Sequence, residues 1–202
     1  MTLLTNTQIA NLAHFANMIE PFTPKLITEL DGVQVIPYGC GETSYNISLD
    51  NNLMRPSTSR TQLLDPKSIR LEAYDQVFSD VIILEPNESI LGTSREFFNI
   101  PHNIHAVVLA LPSYARIFVN VTAIPLESGY SGYCILQLFN AGSMPAKLYA
   151  EEGVAQIVFY SADDQKERER VRKEDPITTE IRQVRNRRLY EDKPAPSRKR
   201  QG

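Results

Sequence analysis

A mainly β fold, a sandwich or barrel with one short helix at its start, is what this sequence predicts. Three observations point there. Between residues 33 and 161 the chain divides into nine short runs rich in Val, Ile, Tyr and Phe, separated by Gly, Pro and Asn. Strand-length runs with turn residues between them are the pattern of an all-β domain. Ahead of them, residues 6–19 carry apolar side chains at helical spacing, and behind them, after "YSADD", the composition shifts abruptly to charge.

In "NTQIANLAHFANMI", Ile9, Leu12, Ala13 and Ala16 share one face behind Asn6 or Thr7 as a cap, so an amphipathic helix should cover one edge or face of the sheet. "EPFTPKL" ends it with two prolines. The expected strands are "VQVIPYG", "SYNISL", "DVIILEP", "SILGTSREFF", "HAVVLAL", "RIFVNVTAI", "YCILQLF", "AKLYA" and "VAQIVFYS". Between the second and third, residues 49–68, "LDNNLMRPSTSRTQLLDPKS", are polar and proline-bearing and read as a long surface loop. The β domain is assigned to residues 1–164 and a charged basic tail to 165–202. In the tail a short helix around "TTEIRQVRNRRLYE" would carry Ile181, Val184 and Leu189 as a thin stripe, and the last ten residues have the composition of disorder.

The chain of 202 residues, 42% hydrophobic, can fill one sizeable core. Its net charge of -3 hides an asymmetry: residues 165–202 hold 13 Lys and Arg against 7 Asp and Glu, leaving 8 against 17 in residues 1–164. An acidic body repels anions, so the tail is either an arm for a nucleic acid or acidic protein partner or a source of missing positive charge. A solvated polyampholyte is the plainer alternative. No run approaches the roughly 20 apolar residues that cross a bilayer, and "MTLLTNTQIANLAHF" has neither a basic start nor a small-residue cleavage site. A cytoplasmic protein without a membrane partner is expected, in a host's cytoplasm if the origin is viral. Cys40 and Cys134 lie far apart and form no CxxC pair, so both read as core thiols.

Specific strings then carry a resemblance. "MIEPF", "LGTSREFFNIP", "SYAR", "GYSGYCILQLFN" and "MPAKLYAEEGVAQIVF" follow one another in order across about residues 3–163. Together they resemble the dCTP deaminase branch of the dUTPase superfamily. The resemblance implies a dUTPase-like distorted β-barrel or sandwich, a homotrimer, active sites built at subunit interfaces, and no metal cofactor for the deamination. A Mg2+ accompanying a nucleoside triphosphate is compatible with it. The sequence itself lacks the H-x-E and C-x-x-C set of a zinc deaminase, and His102 and His105 in "PHNIH" read as turn residues.

Metal-free deamination of cytosine needs a group that takes a proton from water and later returns it, a task suited to one carboxylate tuned toward neutrality. By the resemblance that carboxylate is a Glu, and the matching position is Gln137. An amide can orient a base but cannot shuttle protons. In isolation Gln137 reads as a residue on a solvated face; its context argues for the floor of a former catalytic pocket. Arg116, Glu127 and Gln137 keep the family's intervals of 11 and 10 residues, with Gly132 in place. Arg116 resembles the arginine that positions the attacked group, an interface ion pair being the plainer role. Glu127 is similar to the acidic position that in dUTPases holds the water-activating Asp; ordinary dCTP deaminases can also carry Glu there, so it does not mark phosphatase activity. In the phosphate-holding stretch, Ala110, Leu111 and Pro112 stand where Gly, Lys and Ser are expected, leaving Ser113 and then Tyr114. Gln156 matches a glutamine that reaches a phosphate, and could equally satisfy backbone groups. The family's Y-D-I-R becomes "YNIS", with Asn46 and Ser48 replacing what looks like an ion pair, an exchange expected to be structurally neutral. The family's C-terminal lid sequence is absent.

Three readings follow. The first is an enzyme converting dCTP to dUTP with a rearranged acid/base, Glu127 being the evident replacement. The second is an inactive protein that still binds a pyrimidine deoxynucleotide. The third is a structural trimer whose tails engage nucleic acid or an acidic partner. An engineered Glu→Gln exchange would leave the same Gln137, but the joint loss of the Lys–Ser pair favours a naturally altered site. If that loop no longer holds a triphosphate, restoring Glu at 137 alone would not restore activity.

Overall fold

The computed structural model describes residues 1–57, 64–68 and 70–162. The basic tail, its expected helix and the boundary at 164/165 lie outside the described residues. In chain order the elements are β1 (Thr2–Leu3), α1 (Asn6–Ala16), β2 (Ile19–Glu20), β3 (Ile27–Leu30), β4 (Val33–Cys40), β5 (Tyr45–Ser48) and β6 (Asn52–Pro56). A 3-10 turn (Leu71–Ala73) leads to β7 (Tyr74–Phe78), β8 (Val81–Leu84), β9 (Ser89–Asn99) and β10 (Ile104–Ala110). The short helix α2 (Pro112–Ala115) precedes β11 (Val119–Ala123), β12 (Ser131–Asn140), β13 (Ala146–Tyr149) and β14 (Gly153–Ser161).

Each of the nine expected strands forms, as β4, β5 and β8 to β14. The stretch read as a surface loop does not stay outside. Asn52–Pro56 is β6, paired antiparallel with β7 and meeting β9 at Met54 and Leu91. Leu53 and Met54 are buried there, so burial of two large apolar side chains outweighs the polar composition around them. The helix forms as expected, with Ile9 and Ala13 buried, but its cap is Thr5 and not Asn6 or Thr7. The Gln8 side chain accepts a hydrogen bond from the Thr5 N–H at 2.9 Å, which holds the first turn.

Two sheets carry the body. In one, β14 is flanked along its length by β10, while β5 and β1 share its other edge and β4 and β3 continue outward from β5. In the other the order is β11-β12-β9-β6-β7, with β2 beside the end of β9. Ile47, Ile157 and Phe159 from the first sheet and Ile90, Phe98, Leu136 and Leu138 from the second belong to one buried cluster. Gly92 permits that approach, since a Cβ there would press on Leu49 and Leu53. β8 and β13 form a separate two-stranded ribbon. Both cysteines are buried, as expected of core thiols. His102 lies in a turn, whereas His105 is inside β10, opposite Tyr160.

Candidate functional site

β12 alternates strictly. Cys134, Leu136 and Leu138 point into the core, and Gln137 between them is exposed on the outer face of the sheet. Its neighbours across the ladder are Thr122 on β11 and Leu91 on β9. Arg116 follows the single turn of α2, where its N–H donates to the Pro112 carbonyl at 3.1 Å. With Ser113 and Tyr114 it borders a groove of about 430 Å3, lined also by the loop from Gly142 and by β13. Gln137 does not border this groove. Glu127 is half-buried in the connection from β11 to β12, its carbonyl accepting from the Tyr130 N–H at 2.9 Å. Gln156 on β14 donates its amide to the Ser44 hydroxyl at 2.8 Å. Within one chain the structure therefore gathers Ser113, Tyr114 and Arg116, and leaves Gln137, Glu127 and Gln156 elsewhere.

The altered loop has a physical explanation. Leu111 is only 5% exposed and belongs to the core cluster, while Pro112 occupies the first turn of α2. A side chain at 111 thus anchors the turn from inside, and a lysine there would carry its charge into apolar surroundings. The groove has another cation. Lys147 also lines it, with Nζ 5.8 Å from the centre of the Tyr149 ring. The sequence reading missed Lys147, because only the placement of β13 brings it to the groove that Arg116 lines.

A second feature also went unseen. β9 and β12 change register between Tyr133 and Ile135, where Phe97 and then Thr93 face them, so β9 bulges over 94–96. The Ser94 hydroxyl donates to the Glu96 carbonyl at 2.7 Å and accepts from the Cys134 N–H at 2.9 Å. The bulge turns Glu96 inward to 3% exposure. Its carboxyl accepts from the Ser48 hydroxyl at 2.8 Å and from the Ser48 N–H at 3.1 Å. Burial raises the Glu96 pKa to about 7 against the opposing pull of the Ser48 bonds. In the "YNIS" exchange, Ser48 is thus the neighbour of a buried acid. Asn46, the other exchanged residue, donates its amide to the Pro37 carbonyl at 3.1 Å.

The comparisons with known proteins agree with this architecture. The model of dCTP deaminase-like proteins matches residues 3–162. The chain belongs to the dCTP deaminase-like family. The dCTP deaminase of Nitrosomonas europaea is 32% identical over 164 residues, 81% of this chain and 87% of that protein. That of Nitrosococcus oceani is 34% identical over the same shares. The crystal structure of 2'-deoxycytidine 5'-triphosphate deaminase from Agrobacterium tumefaciens aligns with a TM-score of 0.55 at 19% identity. That alignment covers 77% of this chain and 46% of the longer Agrobacterium chain. The family is one of nucleotide metabolism, and the mainly β fold is the one its sequence motifs implied. Among the described residues no helix is long and apolar enough to cross a membrane.

Proposed function

We propose that this dCTP deaminase-like protein binds a pyrimidine deoxynucleotide at sites shared between the copies of a homotrimer, and that it deaminates dCTP poorly or not at all. The observation that carries the reading is the separation of Gln137 from the Ser113–Arg116 groove within a single chain. Two halves of one site that do not meet in a protomer can meet between protomers. The groove rim also exposes Phe118 (65%) and Met144 (73%), apolar surface that a second copy would cover.

On this reading Gln137 reads the base. A primary amide presents an acceptor and donors side by side, matching the N3 acceptor and N4 amino donor of cytosine in one orientation and the N3–H and O4 of uracil in the other. It holds no proton that could be exchanged near neutral pH, so the attacking water lacks its base and the leaving amine its acid. Glu127 is the candidate replacement in the weaker, active reading. A Mg2+ would accompany the nucleotide's phosphates.

Light scattering should return three times the 22.9 kDa chain mass. Calorimetric titration with dCTP, dUTP and dTTP should show binding that Arg116→Ala and Gln137→Ala each abolish. Co-refolding the two variants should regenerate intact sites, about a quarter of the total under random assembly, because one copy supplies Arg116 and its neighbour Gln137. A monomer, or a mixture that recovers nothing, rejects the shared site. Rapid release of ammonia from dCTP rejects the loss of catalysis.

A further inference from the structure

The groove beside Arg116 lacks the lysine expected at position 111, yet it is not without a second cation. We infer that Lys147, on β13, takes over that lysine's role and grips the phosphates of the bound nucleotide together with Arg116, an assignment that deepens the reading above and rests on it. Four observations carry it. Leu111 is held in the core, so in this chain position 111 brings no charge to the groove. Lys147 and Arg116 both line the groove. Ser113 and Ser143 line the same groove, and their hydroxyls would be further donors to an anion. Tyr114, 1% exposed, borders the groove with a buried hydroxyl that lies near the Tyr149 backbone, short of a hydrogen bond.

Electrostatics favours the same occupant. The body outside the tail is acidic, with 8 basic against 17 acidic residues over residues 1–164, so an anion is held only where cations converge. Glu152, whose field reaches Tyr114, is taken up locally: its carboxylate accepts from the N–H of Ile36, which also lines the groove, at 2.7 Å. Lys147 is a compact point charge on a flexible stem, able to follow a phosphate chain, and Arg116 supplies the planar fork. Ile117, Phe118 and Met144 give the remaining wall an apolar character suited to the sugar side of a nucleotide.

The test uses the full-length protein and two probes, dCTP and inorganic tripolyphosphate, titrated at two ionic strengths. Lys147→Ala should weaken both by about tenfold to a hundredfold, as expected for loss of a charged hydrogen-bonding partner. It should also flatten the salt dependence of both. Lys147→Arg should restore affinity to within about threefold, and Lys147→Met, which keeps the stem but not the charge, should behave like Ala. Each variant is checked for wild-type mass by light scattering, so that a lost assembly contact is not mistaken for a lost phosphate contact. If dCTP binds and Lys147→Ala binds it equally well, the assignment is overturned and the nucleotide reading stands. If tripolyphosphate binds through Lys147 but no nucleotide does, the nucleotide reading falls and the assignment to a nucleotide's phosphates falls with it. Absence of binding by either probe to the unaltered protein overturns both.

Discussion

Replacing Glu96 by Gln measures what a buried carboxyl costs this fold. The side chain is 3% exposed, and its pKa is raised from 4.5 to about 7, chiefly by burial. Between those values the native state keeps a proton that the unfolded chain releases. The sign follows from linkage: the contribution is fully present below pH 4.5 and is lost as pH rises through about 7. The displacement corresponds to about 3 kcal/mol at most between pH 4 and pH 8. Other groups around the acid do not titrate in that window, since burial holds the Tyr45 hydroxyl well above its usual range and pushes the Cys134 thiol up to about 12. Gln at 96 keeps the volume and can still accept the Ser48 hydroxyl bond, but it cannot ionise. Urea unfolding of both proteins at pH 5, 6, 7 and 8, at one protomer concentration because assembly contributes to stability, should give curves that diverge. The Gln variant should gain steadily on the wild type as pH rises, by up to about 3 kcal/mol at pH 8. Ser48→Ala, which removes the hydroxyl favouring the charged form, should move the wild-type decline to higher pH. Parallel pH curves for wild type and Glu96→Gln would refute the argument, because the proton would then not reside on Glu96.

Other outcomes can be stated more briefly. Leu111→Lys, which restores the residue the family resemblance expects, should destabilise the protein by about 3 kcal/mol or more and not improve nucleotide affinity, since the charge enters the core; unfolding and titration calorimetry check both halves. Wild-type dCTP turnover should lie at least about a hundredfold below that of an intact family enzyme, in keeping with loss of a general acid/base. With the phosphates held by Arg116 and Lys147, Gln137→Glu should raise ammonia release from dCTP by at least about tenfold, and adding Lys147→Ala should undo the gain mainly through KM. Gly153→Ala should cost about 2 kcal/mol or more, because its Cβ would run into the Pro37 carbonyl. Gly32→Ala, left-handed at φ +80 but with open space around it, should cost only about 1 kcal/mol in the same denaturation assay.

The strands that were legible in the sequence are those in which local alternation and global burial agree. β12 is the clearest case: the side chains that alternate in "CILQLF" alternate in burial. β6 was hidden because Asn51, Asn52 and Pro56 punctuate it like a loop, and what makes it a strand is its ladder to β7 and β9, which no local pattern encodes. β1 and β2 are two residues long and exist only through their partners. At the site, the intervals among Arg116, Glu127 and Gln137 could be read by resemblance, but their distribution in space could not. Glu96 sits in "SREFF" like any solvated acid; the bulge that turns it inward depends on the Ser94 hydroxyl meeting Cys134 from another strand. Lys147 is 31 positions from Arg116, and their convergence on one groove follows from the β8–β13 ribbon and not from spacing.

The pairing of Thr2 with Ser161, first and last strands side by side, has a topological consequence. The described body is nearly a closed ring, its entry and exit separated by one inter-strand spacing. A short linker could join them, and new termini could be opened at Asp31–Gly32, an exposed turn between β3 and β4 that carries no core side chain. Such a permuted chain would move the point at which any appended segment leaves the body from the β14 edge to the far end of the same sheet. The position of the tail would thereby become an independent variable, separable from its sequence.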